Sequence, residues 1–301
     1  MKYKLSICVI TMNRAQQLKE ALESCLACRL PAETEFVVID NASSDRTEQV
    51  VQEVLGHCGY DSFYEKLSEN LGVGGGRNYA CSKAHGRYVY MMDDDAVIEG
   101  GENGDFFLKA LDILESNENI MTLTTQIYDT ALERNRLQRR GPEIADGVSQ
   151  CKMFCGGSHF LRMAFFENGP YLQNKYGYEE IPPSLRVMDA GKINAFAQDL
   201  LVIHKPVINK WDWSNQDNGR LLIKECAIPY AIRKKMYPAV FRPVLWLAVF
   251  VRTQKYLKAI PDWKVHFQNE IKKVYEDNQK LERIKVATVL KMARIFGLSI
   301  F

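Results

Sequence analysis

The chain has 301 residues, 47% hydrophobic and 25% charged, with a net charge of +2, the balance of a globular protein with a sizeable core. No run of eighteen uncharged apolar residues is present, which argues against a membrane-spanning helix. The opening MKYKLSICVITMNR has too short an apolar run, and no cleavage site, for a signal peptide, so a cytoplasmic location is expected.

LSICVIT (Leu5 to Thr11) is a short apolar run rich in β-branched residues, the pattern of a strand buried on both faces. RAQQLKEALESCLA follows with Leu18, Ala21, Leu22, Cys25 and Leu26 on one helical face. TEFVVID predicts a second buried strand, and the helix after it has Asp45 and Glu48 at capping-box spacing. Strand, helix, strand, helix from the first residues predicts a parallel sheet with crossover helices.

SFYEKLSEN reads as a third strand, LGVGGGRN as a glycine-rich turn, YACSKAHG as a helix closed by Gly86, and RYVYMMDD as a fourth strand. A helix around Phe106 to Glu115 and the strand IMTLTTQIYD come next, then a charged loop or flap from Glu133 to Gln150. KMFCGGSHFLRMAFFENG is expected to form strand and helix. SLRVMDAG reads as a short helix entered through Pro182 and Pro183 and ended by Gly191, and KINAFAQDLLVIHK as the last strands. Beyond about Asn218 the chain is expected to be mostly helix. The eight cysteines are scattered, with only Cys25/Cys28 and Cys151/Cys155 close and no histidine at zinc-site spacing, so they read as reduced, packed thiols.

Each polar cluster of the first half falls at or near a strand end: Thr11 to Arg14, Asp40 to Asp45, Asn70 to Asn78, and Asp93 to Asp95. Ligands of open parallel sheets gather beyond the carboxyl ends of the strands, so these clusters predict one binding site. Three consecutive carboxylates repel one another unless a cation sits among them, and Mg or Mn bound by one or two carboxylates commonly completes its shell with diphosphate oxygens. On extended chain Asp93 and Asp95 point the same way and Asp94 elsewhere. The four glycines Gly72, Gly74, Gly75 and Gly76 permit a close backbone approach to a ligand, with Arg77 at hand to pair with phosphate. No Walker A signature accompanies them. Asp40 and Asn41 could accept from a base or ribose, or simply form an Asx turn.

In order and spacing, CVITMNRAQQLKEALESCL, FVVIDNASSDRT, ENLGVGGGRNYA and YVYMMDDDAVIE resemble the amino-terminal pattern of family-2 nucleotide-sugar glycosyltransferases of GT-A fold. The resemblance implies an α/β catalytic domain over residues 1–215, a mostly parallel sheet flanked by helices, and a basic helical extension over 216–301. It implies Thr11 and Arg14 lining the nucleotide pocket, Asp40 with Asn41 on the base, Asn70, Gly76 and Arg77 on the donor, Asp93 and Asp94 toward ribose and metal, and Asp95 as ligand. The second half matches more loosely: Glu179 and Glu180 stand where the family places its acidic pair, with Glu180 preferred as the base, and His204 would complete the shell of a divalent Mn or Mg. The implied activity is inverting transfer from a nucleoside-diphosphate sugar, UDP or dTDP first among them, to a glycan or lipid-linked acceptor in cell-surface polysaccharide synthesis. A sugar-nucleotide nucleotidyltransferase and a noncatalytic scaffold are the alternatives.

Charge divides unevenly, with 17 Lys and Arg against 6 Asp and Glu from Arg220 onward and a net of −9 before it. Interleaved with Trp246, Phe250 and Trp263, this tail suits an anionic membrane surface, peripheral on the inner face of the plasma membrane. Nucleic acid is not expected, because no recognised module accompanies the charge.

Overall fold

Leu5, Ile7 and Val9 pack on one face of the first strand and Cys8 and Ile10 on the other, so the apolar run is buried twice over by the period-2 alternation of side chains. The computed structural model describes residues 2–99, 104–166, 169–174, 177–206, 216–257, 260–278 and 280–301. In chain order come β1 (Tyr3–Thr11), α1 (Ala15–Leu26), β2 (Thr34–Asp40), α2 (Thr47–Leu55), β3 (Asp61–Lys66), α3 (Gly72–Lys83), β4 (Gly86–Asp93) and β5 (Ala96–Glu99). Then follow α4 (Phe106–Ser116), β6 (Ile120–Asp129), β7 (Arg134–Asn135), β8 (Arg140–Ala145), β9 (Val148–Cys151), β10 (Ser158–Arg162), α5 (Ile181–Asp189) and β11 (Ile193–His204). The carboxyl-terminal helices are α6 (Gln216–Met236), α7 (Arg242–Tyr256), α8 (Trp263–Asp277) and α9 (Val286–Phe296).

The strands pair in the order β3, β2, β1, β4, β10, β6, β11, β9, β8. β3, β2, β1 and β4 are mutually parallel, as are β6 and β11, while β10 runs antiparallel between β4 and β6. Six strands therefore deliver their carboxyl ends to one edge, and the mostly parallel α/β sheet expected from the sequence is present. Leu18, Leu22, Val51, Phe107 and Leu111 cover one face of it; Ala80, Phe154, Phe166 and Tyr171 cover the other.

Several local expectations are corrected. The glycine-rich stretch is not a turn but the first half of α3, and the helix stops at Lys83, leaving Gly86 to open β4. A Cβ at Gly74 would lie 1.8 Å from the Leu172 carbonyl, and one at Gly76 would lie 2.8 Å from Asn41 Nδ2, so both glycines let the helix press onto its neighbours. Asp45 accepts from the Thr47 amide and hydroxyl and from the Ala15 amide, which ties α1 to α2 in place of a box with Glu48. The charged flap contains β7, β8 and β9, with β8 and β9 forming an antiparallel hairpin on β11, and β10 leads into a turn where a helix was expected.

Pro182 and Pro183 start α5, and Gly191 at φ +74° follows its end. Leu172, Ile181, Leu185 and Met188 form a separate core with Ile228, Ile232, Met236, Val289, Met292 and Phe296 of the terminal helices. The expected domain boundary, Trp213 to residue 215, lies outside the described residues. Among the described residues no helix is long and apolar enough to cross a membrane.

Candidate active site

Strand ends build the site: Thr11 closes β1, Asp40 β2, Asp93 β4, Asp129 β6 and His204 β11. Antiparallel pairing of β5 with β11 sets Ala96 opposite His204, and parallel pairing of β6 with β11 sets Asp129 opposite it. His204 thereby stands between two carboxylates, with Nε2 3.2 Å from Asp95 Oδ1 and Nδ1 3.2 Å from Asp129 Oδ2.

Asp93 ends β4 while Asp94 and Asp95 form the turn into β5, so they are not the extended chain expected, although Asp93 and Asp95 still lie close together. Asp94 accepts from the Thr11 hydroxyl at 2.7 Å, and Arg14 Nη1 bridges Asp94 at 2.9 Å and Asp95 at 2.7 Å. Asp93 accepts instead from Arg77 Nη2 at 2.5 Å. Burial pushes the Asp94 carboxyl up to about 6 against the pull of Arg14 and Thr11, with Asp95 and Asp93 adding to the rise. Burial also acts on Asp95, but His204 and Arg14 outweigh it and hold the group below the usual carboxylate range. For His204, burial opposes the proton and Asp95 favours it, with a net rise.

Asp93, Asp95 and His204 each offer one ligand atom, all within 4.8 Å of one another. Asp95 Oδ1 is buried and faces His204 Nε2 at 3.2 Å without hydrogen-bond geometry, so it keeps acceptor capacity for a cation. Two carboxylates and an imidazole suit a divalent first-row cation such as Mn, so these residues fit the metal that the sequence implies. His204 would be oriented for such a cation by Asp129 Oδ2, 3.2 Å from Nδ1.

Arg77, 2% exposed, joins the two halves of the site: Nη1 donates to Glu179 and Nη2 to Asp93. The sequence placed it near base or phosphate; here both its forks are committed to carboxylates, so contact with a diphosphate requires one to let go. Glu179 and Glu180 enter the site ahead of α5 after Tyr178, whose φ of +68° turns the chain sharply. Glu180 Oε1 accepts from the Gly156 amide at 3.1 Å, while Oε2 is buried and unpaired. Burial, then the Glu179 charge, raise its carboxyl well above the usual range.

Of the other expected donor residues, Asp40 is 1% exposed and accepts from the Ser43 amide at 2.7 Å and the Tyr64 hydroxyl at 2.9 Å, an Asx turn with both oxygens engaged. Asn41 Nδ2 donates to the Gly72 carbonyl, leaving Oδ1 buried and unpaired. Asn70 Oδ1 accepts from the Gly72 amide, which orders the start of α3, and Gly76 lies against Asn41.

Sequence reasoning missed Asp129 and Arg136. Arg136 donates to Asp129 from Nε and Nη2 and places Nη2 2.9 Å from His204 Nδ1. Asp129 ends a buried strand just as Asp93 does, a signal that was available; nothing local marked Arg136 within its charged stretch. His159 was also passed over: it is fully buried, 2.6 Å from the Tyr171 hydroxyl, and burial and then Arg77 lower it to about 3, so it stays neutral.

A parallel-edge site with a metal-competent triad and a buried acidic pair defines a class of group-transfer enzyme, and comparison with known proteins identifies the family. The pattern described as Glycosyl transferase family 2 matches residues 6–167, and the chain belongs to that family. The chain is 30% identical over 107 residues to the GalNAc(5)-diNAcBac-PP-undecaprenol beta-1,3-glucosyltransferase of Campylobacter jejuni subsp. jejuni serotype O:2, covering 36% of this chain and 34% of that protein. It is 31% identical over 100 residues to the minor teichoic acid biosynthesis protein GgaB of Bacillus subtilis, covering 33% and 11%. This chain thus spans about a third of one curated relative's length and about a tenth of the other's. Among solved structures, S. aureus TarS 1-349 in complex with UDP-GlcNAc aligns at TM-score 0.62 and 17% identity over 99% of this chain and 89% of that one. The mannosyltransferase PcManGT from Pyrobaculum calidifontis with GDP-Man and Mn2+ aligns at 0.60 and 16% over 98% and 79%. The fold is GT-A, as the sequence implied.

Proposed function

We propose that the protein is an inverting, metal-dependent glycosyltransferase that moves a sugar from a nucleoside-diphosphate sugar, UDP or dTDP linked, to a hydroxyl of a glycan or lipid-linked acceptor. Residues 1–215 form its catalytic unit and 216–301 a helical unit, in a protein at work on the cytoplasmic side of the membrane in cell-surface polysaccharide synthesis. The observation that carries the reading is the Asp93, Asp95 and His204 group together with Glu180, whose Oε2 is buried without a hydrogen bond, beside the Arg77–Glu179 pair. Known relatives support the substrate class: one is named for a lipid-linked acceptor, and structural neighbours were solved with UDP-GlcNAc or with GDP-Man and Mn2+.

Asp93, Asp95 and His204 would hold the divalent cation, whose chemistry is to offset charge on a departing diphosphate. Thr11 and Arg14 orient the donor edge through Asp94, and Arg77 pairs with Glu179 beside Glu180. Glu180 takes the proton of the acceptor hydroxyl as its oxygen bonds to the anomeric carbon, while the electron pair of the breaking bond leaves with the nucleoside diphosphate. Glu179 holds the neighbouring position as the other carboxylate of the pair. Arg77 and Arg14, each already on a carboxylate, add positive charge near the leaving group.

Thermal shifts with UDP, dTDP, GDP and CDP, each with Mn, Mg or EDTA, test the reading on wild type and Asp95→Ala. Metal-dependent stabilisation by one diphosphate that disappears in the variant is expected. No response to any nucleotide would sink the donor-site assignment.

A further inference from the structure

Helix α7 carries an apolar face that nothing in the described structure covers. Trp246, Leu247 and Val251 are 58%, 55% and 63% exposed, and Pro243, Val244 and Phe250 beside them are exposed too. At about 100° per residue these six side chains follow one another around roughly 160° of the helix, with no charged residue among them. The opposite side is where the protein lies: Leu245, Ala248 and Val249 pack into the two cores shared with α6. Trp246 and Phe250, one helical turn apart, stack on each other with ring centroids 5.1 Å apart, outside either core.

A contiguous apolar stripe of this kind on a protein surface marks an interaction site. Two properties choose the partner. Fifteen residues beginning at the exposed Arg242 are too few to span a bilayer but form a helix that can lie in its interface, where Trp is favoured. The chain from Arg220 onward, which contains this helix, has a net charge of +11, and Arg252, Lys255 and Lys258 follow the stripe in sequence. A second copy of this chain seated on the face would set two segments of like charge, each with its exposed Arg242, against one another; an anionic lipid leaflet would neutralise them.

We infer that the α7 face from Pro243 to Val251 docks the protein onto an anionic lipid surface, with the helix lying in the plane of the headgroups. The inference deepens the reading of a lipid-linked acceptor, and rests on it only for its purpose, since docking needs neither donor nor acceptor. Its failure would leave the transferase assignment standing, and loss of nucleotide binding would leave the docking face standing.

The test is co-sedimentation of the full chain with phosphatidylcholine vesicles and with vesicles that also contain phosphatidylglycerol. Wild type is compared with Leu247→Glu/Val251→Glu, whose positions are exposed, and with Arg242→Gln; circular dichroism and melting temperature check the fold of each. Binding at least about tenfold stronger to the anionic vesicles is expected. It should weaken with salt, be lost in the double glutamate variant and be reduced by Arg242→Gln. A blue shift of tryptophan emission on vesicles, absent in Trp246→Phe, should accompany it. Equal sedimentation of wild type and the double variant, or none of wild type with anionic vesicles, overturns the inference. So does concentration-dependent dimerisation without lipid that the double variant abolishes, which would assign the face to a second copy.

Discussion

Glu179 and Glu180 are joined by one peptide bond yet meet different surroundings. Each keeps one buried oxygen without a hydrogen bond, but Arg77 is paired with the other oxygen of Glu179, whereas Glu180 has only the Gly156 amide. That contrast, invisible in the sequence, favours Glu180 as the base. Glu180→Gln should lower kcat by about 10²–10⁴-fold with donor binding unchanged, measured by turnover and nucleotide titration. Because burial and the Glu179 charge raise Glu180, the acid limb of its pH profile should lie above the ordinary glutamate range. Glu179→Gln removes the like charge, so the limb should move to lower pH; a limb that stays put would remove Glu180 from the role. If Asp129 positions His204 for a cation, Asp129→Asn should weaken Mn binding about 10–100-fold, read by calorimetry or electron paramagnetic resonance without any acceptor. Unchanged affinity would reduce Asp129 to a partner of Arg136.

Among elements, α3 shows how packing displaces an apparent ligand loop. Its glycines looked available to a ligand, yet Gly74 faces the Leu172 carbonyl, and Leu172 donates its amide to the Glu179 carbonyl. Gly74→Ala should therefore cost about 1–3 kcal/mol in urea unfolding and also disturb the segment carrying the acidic pair, lowering kcat. Retention of wild-type stability would contradict the close approach. Asp94 gives the strand-end cluster its own pH signature. Its folded value is raised above the unfolded one, so its contribution to stability is fully present below the unfolded value and is lost as pH rises through about 6. The melting temperature of Asp94→Asn relative to wild type should accordingly rise across that interval; a pH-independent difference would count against it.

The molecule as a whole depends on the joining of its two parts. Ile181, Leu185 and Met188, in the helix just after the acidic pair, lie in the same core as Met236, Val289, Met292 and Phe296. A chain truncated after residue 215 would expose those side chains and should be insoluble or molten, with near-ultraviolet circular dichroism lost. A soluble, cooperatively unfolding fragment would show that the catalytic unit does not need the terminal helices. Arrangement at this scale also places the acidic pair, because α5 is seated on that core.

Periodicity sufficed for β1, β2, β4 and β6 and for the parallel order of the first four strands, because a strand buried on both faces must be apolar along its length and βαβ connections leave few topologies. The motif order identified the family, and the strand-end rule located Thr11, Asp40 and Asp93 to Asp95 at one sheet edge. Tertiary structure alone decided that Arg77 turns to Asp93 and Glu179, that Arg136 leaves its charged stretch for Asp129 and His204, and that the glycine run is helical. Those outcomes depend on contacts between residues distant in the chain. A guanidinium or an orphaned carboxylate takes the partner that folding brings within reach, and local sequence holds no record of which one that is.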